Sequence, residues 1–303
     1  PEFGVNLYDE VNQAGVDPFM KFDVISPRLG VTYDLFGNGK TALKLSWGRY
    51  SDWLYASFIV SYNPNRLSSY TFDWWDDNGN GKPDEAGIDT YKGVWSTSPQ
   101  TKMREYWSRL VETNVKATYD DQITLGIDHE LFANFKVSIQ YLYKKKNNII
   151  DDALYDFNTG RYFYKPEDGY WVPFTTTIPK QDQYPEQTVT MYFMKKDAPQ
   201  LLRKLTNIPD AYRKYSGVDF VFDKRFANGW QLGGSVTISK MWGNIAGDYG
   251  NIWGYAAPGN NANWYVNNDG PLGEDRTLII KLYGTFNLPY GILSSFYYNY
   301  YTG

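Results

Sequence analysis

Four pairs of alternating segments, each closed by a tight turn, are separated along this chain by three long polar insertions. The pairs are 25–35 with 41–50, 120–130 with 135–145, 215–226 with 230–241, and 276–287 with 292–301. The first turn contains Asn38-Gly39 and the third Asn228-Gly229. Asn-Gly between two alternating runs is the strongest short-range hairpin signal. In the second pair Ile123, Leu125 and Ile127 share one strand face, with Gln122, Thr124 and Asp128 on the other. Its partner sets Val137, Ile139, Tyr141 and Tyr143 against Lys136, Ser138 and Gln140. Side chains alternate across a strand, so a period of two gives one apolar and one polar face. This order predicts an all-β, antiparallel chain of about eight strands, each near the ten residues a tilted strand needs to cross a bilayer.

A soluble β-sandwich shows the same alternation. The connections favour a membrane barrel. Short turns follow the first strand of each pair, and long insertions at about 51–119, 146–214 and 242–275 follow the second. Short turns at one rim and long loops at the other is the outer-membrane barrel pattern. Loops of this length without structure of their own are uncommon in compact soluble domains. Aromatic residues make up 18% of the chain, yet mean hydropathy is −0.54. That combination fits strands whose lipid-facing half alone is apolar and whose ends carry Tyr and Trp girdles. Such residues gather near strand ends at Trp47 and Tyr50, Trp230 and Trp242, and Tyr297, Tyr298, Tyr300 and Tyr301. Lys44, Asp128, Asp219, Asp223 and Lys281 fall within strands, where a wet or plugged lumen tolerates them. No run approaches the roughly 18 apolar residues of a membrane helix.

The net charge of −4 gives no footprint for nucleic acid; Lys144-Lys145-Lys146 is a short basic run at the long-loop end of a strand, expected as a solvated rim or a contact for anionic surface glycolipid. With no cysteine there are no disulfides or thiolate metal sites, which is compatible with folding through an oxidising periplasm. Pro1-Glu2-Phe3-Gly4 has neither the basic nor the apolar region of a signal peptide. The chain is therefore expected to be one part, residues 1–303, of a larger barrel domain.

The hairpins resemble the barrel segments of TonB-dependent receptors, in particular the Oar-like group. The stretches that carry the likeness are ISPRLGVTYDLFGNGKTALKLSWGRYSD from Ile25, DQITLGIDHELFANFKVSIQYLYKKKNNIID from Asp121, YSGVDFVFDKRFANGWQLGGSVTISK from Tyr215 and FNLPYGILSSFYYNYYTG from Phe286. The resemblance implies a transmembrane barrel of about 22 strands blocked by an N-terminal plug, and a fragment of that wall here. It also implies uptake of scarce ligands with energy passed from TonB, although some Oar-like members are associated with export. The plug and the TonB-contacting segment have no counterpart in these residues. The implied partners are outer-membrane lipid, the TonB complex through an N-terminal part, and a glycan, peptide or metal chelate. No enzymatic chemistry is expected, since one histidine, His129, permits no histidine-based triad or cluster. Two alternatives remain: a small outer-membrane barrel with adhesive loops, and a secreted calcium-bound glycan-binding protein.

The sharpest local motif is Asp76-Asp77-Asn78-Gly79-Asn80-Gly81-Lys82-Pro83-Asp84-Glu85. Asp76, Asn78, Asn80 and Asp84 supply hard oxygen ligands at the spacing of a calcium loop, Lys82 would ligate through its carbonyl, and Gly81 permits the sharp turn. Gly87 stands where an EF-hand carries its bidentate carboxylate. A structural Ca2+ is the expected cofactor, against the plain alternative of a solvated Asn-Gly turn. Ligand-binding candidates are the loop aromatics Trp74, Trp75, Trp95, Trp171, Trp253 and Trp264, which either stack on a ligand or pack the loops together.

Overall fold

The computed structural model describes residues 21–52, 70–81, 90–96, 111–182, 185–199, 203–245, 259 and 261–302. Its strands are β1 (Arg28–Asp34), β2 (Thr41–Ser51), β3 (Tyr70–Trp75), β4 (Thr90–Ser96), β5 (Tyr119–Phe132), β6 (Phe135–Asn147), β7 (Ile150–Asp156) and β8 (Arg161–Tyr162). They continue with β9 (Trp171–Ile178), β10 (Gln187–Met194), β11 (Arg203–Asn207), β12 (Arg213–Ala227), β13 (Trp230–Gly243), β14 (Gly270–Pro271), β15 (Leu278–Leu288) and β16 (Ile292–Tyr301). The β3–β4 hairpin belongs to one compact unit and the other strands to a second; each is described by itself.

Eight long strands of the second unit form one antiparallel sheet in the order β1-β2-β5-β6-β12-β13-β15-β16, with β14 added beside β13. Every neighbour along that path is the next wall strand in sequence, as in an up-and-down barrel. All eight are the segments expected from the alternation, with ends displaced by a few residues. The turns form where expected for chemical reasons. Asn228 and Gly229 both have positive φ, 56° and 82°, the twist that a two-residue hairpin requires. Asn134 closes the β5–β6 turn at φ 66°, a region that Asn tolerates better than most side chains.

Register makes the apolar face continuous. Val31 lies opposite Leu45, Leu45 opposite Leu125, and Leu125 opposite Tyr141. Tyr141 then meets Val218, Val218 meets Ile238, and Ile238 meets Leu278. Leu29, Val31, Leu45, Leu125, Ile139 and Ile238 are all exposed, Leu29 by 69%. Among the described residues every buried hydrophobic side chain lies outside these eight strands. A sheet with one uncovered apolar face spanning eight strands needs a nonaqueous neighbour, since monomeric soluble proteins rarely expose so large a patch.

The opposite face is polar and internally paired. Asp128 accepts a hydrogen bond from Lys44 at 2.7 Å, with Lys136 3.6 Å away. Asp120 lies 3.1 Å from Lys144 and 3.6 Å from Lys146, which also reaches Asp52 at 2.5 Å. Tyr283 donates to Asp223 at 3.0 Å. Its ring lies flat across Gly233, directly opposite in register, where an added Cβ would come within 2.3 Å of it. Gly233 is thus the hollow that lets Tyr283 lie down on the polar face.

On the apolar face, aromatics mark the short-turn rim. Phe132 stacks on Phe135 at 4.8 Å and Phe135 on Phe222 at 6.4 Å. Trp230 stacks on Phe286 at 6.4 Å and Phe286 on Phe296 at 6.2 Å. Lys224, also on this face, turns its ammonium back to the carbonyls of Arg225, Ala227 and Trp230 at 3.0–3.2 Å. This is snorkelling: the alkyl stem stays beside the apolar band and the charge finds polar partners. The sequence-expected girdle is partly redistributed. Trp47 and Trp242 share the apolar face, but Tyr50, Tyr297 and Tyr301 stand on the other by strand parity.

The long insertions are less open than loops of a barrel need be. Residues between β6 and β12 form a three-stranded sheet, β11-β7-β8, and a separate β9–β10 hairpin. The buried hydrophobic cluster is here: Ile149, Ala153, Leu154, Phe163, Tyr164 and Trp171, with Ile208, Ala211, Ile245 and Ala262. The chain thus has a dry core in its loops and an uncovered apolar wall in its sheet.

Candidate functional site

The folded insertions make the most elaborate surface in the second unit. Backbone mimicry joins them. Asn263, in a short helix spanning Ala262–Asn267, accepts from the Tyr192 N–H at 2.7 Å and donates to the Tyr192 carbonyl at 2.8 Å. One amide side chain thereby continues the β10 edge as a strand would. Asn244 does similar work, accepting from the Tyr212 N–H at 2.9 Å and donating to the Asp210 carbonyl at 2.7 Å. These amides satisfy backbone groups that would otherwise be costly to bury.

The β9–β10 hairpin has two unlike faces. Trp171 and Met194 are paired in register and turn toward the cluster. Trp171 is 7% exposed, and its Nε1 donates to the Phe163 carbonyl at 2.8 Å. On the other face Val172 pairs with Phe193 and Phe174 with Met191. All four are exposed, with the Phe174 and Phe193 rings in edge contact at 5.9 Å. Beside this strip lies a hollow of about 400 Å3 lined by Trp171, Tyr192, Phe193, Met194, Arg203 and Asn263, among others. It offers aromatic and apolar surface, one guanidinium and side-chain amides. Ligand hollows are mostly apolar with a few placed polar groups, and this one fits that description.

The titratable groups around the core are locked. Burial pushes the Tyr164 phenol up to about 12, with Lys165 opposing. For Lys165, burial works against the charge, but hydrogen bonds to Asp210 and Tyr265 prevail and hold it above the usual lysine range. Asp156 is buried, which disfavours its charge, yet Thr159 and Asn158 donate to it and keep it below the usual carboxylate range. Tyr164 is therefore neutral and Lys165 and Asp156 are charged at neutral pH. None is poised near 7, where a general acid or base works best.

The sequence-level candidates are scattered. Trp74 and Trp75 lie in β3 and Trp95 in β4. Trp171 is part of the loop core, with one edge on the hollow. Trp264 is half-buried in the short helix, its N–H capped by Asn261. Lys82, Asp84 and Trp253 lie outside the described residues. At the calcium motif, Asp76 accepts from the Asn80 N–H at 3.1 Å and the Gly81 N–H at 2.8 Å, while Asn78 accepts from Asn80 at 3.0 Å. Gly79 and Gly81 have φ of 73°. The loop thus curls around Asp76, whose oxygens each retain a lone pair. Among the described residues no three His, Asp or Glu side chains gather around one point.

Tyr192, Phe193, Arg203 and Asn263 were not singled out from sequence. The alternation in TVTMYFM from Thr188 was a usable signal for β10. Nothing local says that Asn263 would meet it from some 70 residues away.

Residues 5–300 match the family model of the outer membrane beta barrel domain. The chain belongs to this family. Its place is a Gram-negative outer membrane. It is similar to the TonB-dependent transporter Oar of Myxococcus xanthus, with 22% identity over 294 residues, covering 89% of this chain and 24% of that protein. The chain thus spans about a quarter of the length of that relative. Among solved structures it is similar to the outer membrane transporter YddB of Escherichia coli, at 13% identity and a TM-score of 0.41, over 86% of this chain and 26% of that one. It is also similar to the siderophore receptor PirA of Pseudomonas aeruginosa, at 12% identity and a TM-score of 0.36, over 91% and 34%. These relatives are transporters and a receptor rather than enzymes.

Proposed function

We propose that this chain is barrel wall and outer loops of a TonB-dependent receptor, in which the loops capture a ligand that then passes a plug remodelled through TonB. The observation that carries this is the 22% identity to the Oar transporter across most of the chain. The wall with its folded surface insertions supports it, and the aromatic strip with its hollow is the capture surface this reading favours. A ring-bearing glycan, peptide or chelate suits that surface, because flat apolar groups stack on exposed Phe rings.

The test is made on the native product extracted from outer membranes. An intact mass far above 35.1 kDa, together with cross-linking of that product to TonB, is the expected result. A detergent-requiring product close to 35.1 kDa would mean a small self-contained barrel with adhesive loops. Failure to partition with the membrane would revive the secreted glycan-binding alternative.

We also propose that the loop beginning at Asp76 takes a structural Ca2+. Support comes from its alternating oxygen-bearing side chains and from the curl around Asp76. Calcium is expected to slow protease cleavage within 76–87, and Asp76→Ala to remove that protection. If chelation leaves the cleavage rate unchanged in the parent protein, this loop is a solvated turn.

A further inference from the structure

One row of side chains on the lipid face is out of keeping with the apolar band below it. At the long-loop end of the wall, register sets Arg49 opposite Asp121, Asp121 opposite Lys145, Lys145 opposite Lys214, and Lys214 opposite Trp242. Residues directly opposite share a face, so this row points the same way as Leu125 and Ile139. Like charges directly opposite each other are destabilising. The nearby carboxylates do not resolve the conflict. Asp121 is gripped by Arg49 through Nε at 2.8 Å and Nη2 at 2.9 Å. Asp210 is paired with Lys165 at 2.7 Å, and Asp269 accepts from Trp242 Nε1 at 2.7 Å and from the Tyr212 hydroxyl. Among the described residues neither Lys145 nor Lys214 has a carboxylate within ion-pair distance. Lys214 lies over the Tyr212 ring, 4.8 Å from its centre. One step toward the band, Lys240 lies over Trp242 at 4.1 Å and adds another cation.

The same two lysines line a hollow of about 380 Å3 whose wall also includes Tyr119, Lys146, Asn148 and Tyr212, together with Asp210, whose carboxylate is held by Lys165. Two lysines facing each other in register on the wall of one polar recess, with amides and phenols beside them, describe a candidate anion site. Its height identifies the source of the anion. Lys145 lies ten residues along β6 from Phe135 in the short-turn aromatic row. At about 3.3 Å per residue and a tilt near 40°, that is roughly 25 Å along the barrel axis, the full height of an apolar band. The row therefore stands at headgroup level on the long-loop side, which is the outer leaflet.

We propose that Lys145 and Lys214 form a clamp for a phosphate group carried by an outer-leaflet lipid. A phosphate between the two ammoniums turns a repulsive cross-strand pair into two charge-assisted hydrogen bonds. Trp242 and Tyr119 flank it at the depth where aromatic rings favour the interface. The inference rests on the outer-membrane placement of the wall, and it stands whether or not the protein depends on TonB.

The experiment uses the full-length protein, extracted in nonionic detergent and presented with phosphatidic acid in phosphatidylcholine vesicles, with inorganic phosphate in a parallel arm. Native mass spectrometry reads retained lipid. The parent protein is expected to keep phosphatidic acid. The K145Q/K214Q variant is expected to retain about tenfold less, the consequence of losing two charge-assisted contacts. K145R/K214R should restore retention. K44Q/K136Q, which removes the same charge from the lumen face, should change nothing. Heat-modifiable gel mobility verifies that each variant is folded. Equal retention by folded K145Q/K214Q overturns the proposal. So does inorganic phosphate displacing the lipid at low concentration, which would make this a site for soluble anions.

Discussion

Ile139→Arg is expected to stop this wall from assembling, while Gln140→Arg, one residue further along the same strand, is tolerated. Ile139 stands in the middle of the apolar face, between Ile127 on β5 and Phe220 on β12, and is 47% exposed. On a barrel, a guanidinium at the bilayer midplane costs about 2–4 kcal/mol. No carboxylate stands beside Ile139 on that face, since its register partners are both apolar. Gln140 faces the other way. Its partners are Gly126, which leaves room, and Asp219, which would attract an arginine. The measurement is the heat-modifiable fraction in outer membranes, with urea unfolding in vesicles for whatever inserts. A one-residue step that inverts the outcome is the signature of a two-sided wall with lipid on one side. Equal tolerance at both positions would mean that the apolar face is not in contact with lipid, and the membrane reading of the fold would fail with it.

That contrast could be set up from sequence because the wall obeys a local rule. Ile123, Leu125 and Ile127 alternate with Gln122, Thr124 and Asp128, and Asn134 and Asn228-Gly229 fix the β5–β6 and β12–β13 turns, so neighbours pair with neighbours. The insertions obey no such rule. β7 is buried at Ile150, Asp151, Ala153, Leu154 and Asp156, on both of its faces, so its residues show no period of two. Its sheet partner β11 lies some 50 residues away, with β8, β9 and β10 in between. The core is closed by Ile245 and Ala262 from the following insertion. Pairings of this kind depend on long-range packing, and a window of ten residues carries no trace of them. The candidate site shares this division. The aromatic content of the loops was legible. The separation of Trp171 into the core and Phe193 onto the surface was not, because it depends on which face of the β9–β10 hairpin meets the cluster. The calcium motif was legible as spacing alone.

The second large effect expected is at Trp171. Replacing it with Ala removes a side chain that is 7% exposed and leaves the Phe163 carbonyl without its indole donor. Removing a buried Trp costs about 3–5 kcal/mol, and an orphaned buried acceptor adds about 1–3 kcal/mol where water does not reach it. A small loop core of this size has little stability in reserve. Trp171→Ala is therefore expected to raise protease cleavage and amide exchange throughout 149–211. The wall should be unaffected, because none of the ten residues of the loop core lies in a wall strand. Heat-modifiable mobility is the readout for the wall. Trp171→Phe keeps a ring but loses the donor, and should fall between the parent and the alanine variant. Phe193→Ala on the exposed face of the same hairpin should leave both readouts unchanged, since that ring touches Phe174 and solvent rather than the core. If wall and loops are lost together in Trp171→Ala, the insertions are a condition of barrel assembly. Loss of the loops alone would make them an independently stabilised surface on a wall that stands without them. In that case any ligand bound by the aromatic strip is held by a unit free to change without disturbing the barrel.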